Sequence, residues 1–154
     1  MGAYASGAIA SALALGVSVE VLAAAAIDAQ TRRFPNGLAA LLAVTCASHA
    51  IFASGFPALA SHALLAACSG AALFAAESVW RRLHGGAAGL GGGDIKFLVG
   101  FMLLDPVFAL ASFLSGLALL AVTGALSRRS ALPLLPFVAL GSALVAVAVR
   151  PPLF

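Results

Sequence analysis

The stretch GGAAGLGGGDIKFLVGFMLLDP, Gly85 to Pro106, puts six glycines into nine residues and then sets an aspartate, Asp94, at the head of an apolar segment. Ile95 to Leu104 at about 1.5 Å per residue covers about 15 Å, half the depth of a hydrocarbon core about 30 Å thick. The segment is therefore too short to span a bilayer. The glycines either continue the helix or form a re-entrant loop folded into the protein interior, and both arrangements carry Asp94 from the surface toward membrane depth. A carboxylate near lipid is costly, so its presence points to a function.

The rest of the chain supplies the apolar setting. Of 154 residues, 63% are hydrophobic and 8% charged, and the mean hydropathy is +1.13, against about a quarter charged for a soluble domain. This composition predicts one all-α domain over residues 1–154, a polytopic transmembrane bundle of about six helices. Apolar segments run from Ala8 to Ile27, Leu38 to Phe56, Ala58 to Trp80, Ile95 to Leu104, Val107 to Leu126 and Pro133 to Val149, separated by FPNG, SGFP, the glycine tract, DP and SRRSALP. The first segment lacks a basic flank and reads as a retained helix, not a signal peptide.

The net charge is +3, but the basic residues are grouped. Arg32 and Arg33, Arg81 and Arg82 with Lys96, and Arg128 and Arg129 follow helices 1, 3 and 5, with Arg150 as the exception near the C-terminus. This pattern reads as topology, not a nucleic-acid surface, and predicts cytoplasmic basic loops with both termini outside.

Topology also sorts the five acidic residues. Asp28 ends helix 1 and Asp94 begins helix 4 on the same side, so packing these helices together would bring the two carboxylates face to face. Two such groups in a partly dry cleft share a proton, leaving one as base and the other as acid, as an aspartyl protease requires. Asp105 fits a turn or an N-cap for helix 5. Glu77, four residues before Arg81, fits an exposed or interfacial ion pair, which predicts that Glu77→Gln retains most activity. Glu20, inside helix 1, requires a polar partner, water or a proton.

Other chemistries find little support. The glycine tract lacks the third fingerprint glycine and the Ser or Thr of a nucleotide loop, and its glycines instead suit close main-chain approach of an extended substrate at Gly91, Gly92 and Gly93. No metal cluster or Ser-His-Asp set has suitable spacing, and no cofactor is implied. His49 and His62 flank an outer loop, His84 precedes the glycines, and Cys46 and Cys68 read as small buried packing residues.

Three stretches together resemble the prepilin leader peptidases, GxGD-type membrane aspartyl proteases. DAQTRRFPN, Asp28 to Asn36, is similar to the first catalytic block, with Phe34 in its apolar place. GGGDIKFL, Gly91 to Leu98, is similar to the GxGD block with its trailing lysine, and LPLLPFVALG, Leu132 to Gly141, to the start of the last helix. The resemblance implies Asp28 and Asp94 as catalytic residues, Asn36 with the glycine backbone in substrate binding, and Pro35 and Lys96 in positioning. It implies cleavage of a short basic leader from type IV pilin or pilin-like precursors, at the cytoplasmic face of the bacterial inner membrane and beside the precursor's apolar segment. The chain lacks the two CxxC pairs of larger members and looks like the minimal form of tight-adherence (Flp-type) pilus systems, so N-methylation is not implied. A proton-coupled transporter would also bury Glu20, Asp28 and Asp94 but would not require the two aspartate blocks, and a noncatalytic pilus-assembly scaffold could keep the fold and lose activity, against which the presence of both aspartates argues. Neither the pilin nor the oligomeric state is legible.

Overall fold

The computed structural model describes residues 2–86, 89–127 and 132–149, all helix and connections. Arg128, Arg129 and Arg150 lie outside the described residues, while Lys96 and the four arginines of the two earlier basic loops lie within them. Six helices follow in order: α1 Gly2–Thr31, α2 Asn36–Ser54, α3 Phe56–Leu83, α4 Gly92–Met102, α5 Pro106–Ser127 and α6 Leu135–Val149. Four of them, α1, α2, α3 and α5, are long and apolar enough to cross a bilayer. Large apolar side chains such as Leu15, Val19, Phe74, Val107 and Leu126 lie exposed on them, as expected of a membrane protein whose solvent is lipid.

The connections are short because special residues make them so. Past the end of α1, Arg32 adopts φ +53, a left-handed conformation uncommon outside glycine, and Pro35 at φ −63 and ψ 138 leads into α2. A single residue, Gly55 at φ +87, separates α2 from α3. After α3, Gly85 and Gly86 take φ +64 and +91, and the Gly86 N–H donates to the Arg81 carbonyl at 2.7 Å, the long bond of a Schellman cap. Asp105 caps α5 as expected, its Oδ1 accepting the Phe108 N–H at 2.9 Å.

Two expectations need adjustment. Helices α1 and α3 run on by about a turn past Ile27 and Trp80, because polar residues at an interface continue a helix as readily as apolar ones. Cys46 is buried, but Cys68 is exposed on α3 and does not serve core packing.

The shortest helix is the most enclosed. On α4, Phe97, Leu98, Phe101 and Met102 are all but completely buried, and the helix packs on α2, α3 and α5. An aromatic ladder runs through it, Phe34 to Phe97 to Phe101 to Phe108, with ring centroids 5.6, 5.5 and 5.7 Å apart, edge or tilted contacts of the kind that aromatic quadrupoles favour. Helix α1 packs on α2 and α6, and Glu20 finds its partner on α2, its Oε1 accepting the Thr45 hydroxyl at 2.8 Å.

Helices α5 and α6 meet through small residues. A Cβ on Gly116 would lie 2.7 Å from both the N and Cα of Val138, and one on Gly141 would lie 2.6 Å from the Ser112 carbonyl. Backbone cannot move aside as a side chain can, so this seam requires glycine. Gly116→Ala is expected to destabilise the fold by about 1–3 kcal/mol, whereas Gly7→Ala, which meets nothing within 4 Å, carries no such penalty and gains helix propensity of up to about 1 kcal/mol. Thermal unfolding in detergent measures the difference.

Candidate active site

The first carboxylate is held by the far end of the chain. Asp28, in the last turn of α1, is 7% exposed, and its Oδ2 accepts the backbone N–H of Leu135, the first residue of α6, at 3.0 Å. A helix N-terminus presents unpaired N–H groups and the positive end of the helix dipole, so it is a natural seat for a carboxylate. The LPLLPF segment thus delivers the α6 N-terminus to Asp28.

The second carboxylate stands in the first turn of α4. The N–H of Gly91, the N-cap residue, donates back to Asp94 Oδ2 at 3.2 Å, half of a capping box, while the Gly91 carbonyl accepts the N–H groups of Asp94 and Ile95 at 3.0 and 3.2 Å. The Asp94 carboxyl is pushed up to about 6, first by burial and second by the charge of Asp28, with the Gly91 N–H opposing both. The two carboxylates therefore form one electrostatic site. They meet without an extended α1–α4 interface, which differs from the direct packing the sequence suggested: α2, α5 and α6 bridge the two helices.

Each glycine of the GGGD block meets a different environment. A Cβ on Gly91 would lie 2.9 Å from Asp94 Oδ2, and one on Gly93 would lie 3.2 Å from the Phe34 Cβ, but one on Gly92 would meet nothing within 4 Å. The first glycine makes room for the carboxylate, and the third lets the turn after α1 press against α4. Expected together as a substrate platform, the three glycines separate here: both polar backbone atoms of Gly91 are engaged within the chain, and Gly92 and Gly93 open α4.

Lys96 and Asn36 also find each other. Lys96 Nζ donates to Asn36 Oδ1 at 2.9 Å, tying α4 to the start of α2 just past Pro35. Lys96 thus has a partner other than Asp94, in keeping with their positions two residues apart on a helix, and Asn36, expected to bind substrate, has its amide oxygen taken up by Lys96. Lys96→Met and Asn36→Ala should each lower activity a few-fold, about what one exposed charge-assisted hydrogen bond supports. The double variant should be no worse than either single one. Relative kcat/KM values across the four proteins test this coupling.

A family model described as the type IV leader peptidase family matches residues 15–149. The chain belongs to the type IV leader peptidase family. The match includes both aspartates, the glycine tract and the α6 N-terminus, so the peptidase fold accounts for nearly the whole chain. No curated protein and no solved structure matches it.

Several contacts in this peptidase are invisible to sequence reasoning. The Leu135 N–H is a backbone donor, and no residue type signals it. Phe34 could be placed in an apolar position but not against Gly93 and Phe97. Glu77 pairs with Arg81 at 2.6 Å as its spacing predicts, but it is buried and not exposed, and it accepts two further N–H groups from the glycine tract.

Proposed function

We propose that this type IV leader peptidase is an aspartic endopeptidase that removes a short basic leader from pilin or pilin-like precursors, with Asp28 and Asp94 as its catalytic pair. The observation that carries this reading is the meeting of two carboxyl groups from separate blocks of the family match, Asp28 buried and Asp94 half-buried, each oriented by a backbone N–H. The raised Asp94 makes it the member that holds the shared proton, and Asp28 the base.

In this mechanism Asp28 takes a proton from a water molecule, whose oxygen attacks the scissile carbonyl carbon, while Asp94 gives its proton to the carbonyl oxygen. The tetrahedral intermediate collapses as the C–N bond breaks. The proton held by Asp28 passes to the departing amine nitrogen, and Asp94 regains one from the intermediate's hydroxyl. Both carboxyl groups end as they began.

The exposed Arg32 and Arg33 after α1, Arg81 and Arg82 in the last turn of α3, and Lys96 in α4 lie around this site. The positive-inside tendency supports a site at the cytoplasmic face of a bacterial inner membrane, with both termini on the other side. A precursor whose apolar helix lies in the bilayer would then present the junction of leader and helix at the depth of Asp94.

The test is direct. The purified protein in lipid nanodiscs, incubated with a pilin precursor bearing a short basic leader, is expected to yield one cut at that junction by intact-mass spectrometry. Folded enzyme that leaves a panel of such precursors uncut would contradict the reading.

A further inference from the structure

Glu77 lies on α3, remote in sequence from both aspartates, yet it holds the segment that carries Asp94. Its Oε2 accepts the Leu90 N–H at 2.8 Å, and its Oε1 accepts the Gly89 N–H at 3.3 Å together with Arg81 Nε at 2.6 Å. The next N–H along, that of Gly91, is the one bound by Asp94 itself. Three consecutive backbone donors are thus divided between two carboxylates, two to Glu77 and one to Asp94.

The surroundings show that this clamp is built. A Cβ on Gly89 would lie 3.0 Å from Trp80 Cδ1 and 3.2 Å from Glu77 Oε2, so the backbone lies close against α3 and needs glycine to do so. Trp80 is itself braced by His84, their rings stacked with centroids 3.7 Å apart. Glu77 is 8% exposed, while the side chain of Arg81 is 49% exposed. Compensating a buried charge within α3 accounts for the ion pair with Arg81, but the two bonds to Gly89 and Leu90 serve the tract.

We propose that Glu77 is a positioning residue for the catalytic site: by fixing Gly89 and Leu90 it sets the N-cap of α4 and thereby the place and rotamer of Asp94. The proposal rests on the peptidase reading for its effect on turnover, but the clamp has a readout independent of activity. Hydrogen–deuterium exchange is measured on the peptide covering residues 89–91, and kcat and KM on a pilin precursor, for the parental protein, Glu77→Ala, Glu77→Gln and Arg81→Gln.

Glu77→Ala should speed exchange there by about tenfold, the equivalent of one hydrogen bond, with peptides of α5 unchanged. It should lower kcat by about tenfold or more through misplacement of Asp94, with KM held within about twofold because no substrate contact is lost. Glu77→Gln, which keeps one acceptor, should recover part of both, short of the near-full activity that its spacing from Arg81 alone predicts because two bonds to the tract now depend on it, and serves as the working variant if the alanine protein does not insert. Arg81→Gln, whose amide can still donate to Glu77, should keep most of the parental behaviour in both readouts and fall far short of the Glu77→Ala damage. Parental exchange in the Glu77 variants, fast exchange with parental kcat, or equal damage from Arg81→Gln would each overturn the proposal. A parental enzyme that cuts no precursor would sink the peptidase reading, and the exchange data would still decide whether Glu77 holds the tract.

Discussion

Asp28→Asn and Asp94→Asn should each reduce precursor cleavage by about 10³-fold or more, the scale of losing a general acid or base, while membrane levels stay near parental. Asparagine keeps the size and one acceptor oxygen, so Leu135 and Gly91 can still donate to it, but it neither takes a proton from water nor gives one to a carbonyl. Asp28 and Asp94 act as one unit, so the double variant should be no worse than either single variant. Asp105→Asn is the control: its cap to Phe108 survives as an amide oxygen, and activity should persist. Near-parental cleavage by either asparagine variant would remove that residue from the mechanism.

The second large effect separates the glycines of the GGGD block. Gly91→Ala sets a methyl group 2.9 Å from Asp94 Oδ2; the carboxylate must turn away, and a displacement near 1 Å at a reacting group costs on the order of 100-fold. Gly93→Ala sets a methyl group 3.2 Å from the Phe34 Cβ, which is fixed to the backbone, so the turn after α1 must shift slightly, with an expected loss of about tenfold. Gly92→Ala meets open space and gains helix propensity, so its activity should stay within about twofold and its stability rise by up to about 1 kcal/mol. Initial rates on a pilin precursor rank the three. Equal damage at all three positions would instead mean that the glycines contact substrate through their backbone.

The helices were legible because breakers such as FPNG, SGFP and DP interrupt long apolar runs, and the brevity of α4 could be counted directly. The nearness of Asp28 and Asp94 was legible as well, since Asp28 closes one apolar helix and Asp94 opens another on the side marked by basic loops. What the sequence withheld follows from the nature of the contacts. The Leu135 N–H is supplied by every residue type but proline, so nothing in LPLLPF announces a carboxylate partner. Arg81, four residues on, satisfied Glu77 on paper, and its bonds to Gly89 and Leu90 arise only once the tract folds back over α3. Lys96 and Asn36 each carried a role of their own, and the fold joins them into one. Cys68 shows the reverse case, where an apolar neighbourhood in sequence gave no information on which side of α3 faces the core.

Two carboxyl groups, at the end of α1 and the start of α4, are expected to act as one site. The most direct measurement is a ¹³C carboxyl NMR titration of aspartate-labelled protein, comparing the parental chain with Asp28→Asn. Burial raises Asp94 most and the Asp28 charge adds to it, both by disfavouring the ionised form. Asp94 in the parental protein should therefore release its proton near pH 6, and in Asp28→Asn at a lower pH that still exceeds the ordinary 3.8. An Asp94 midpoint at the ordinary value in the parental chain, or one that Asp28→Asn leaves unmoved, would show that the two carboxyl groups do not act together.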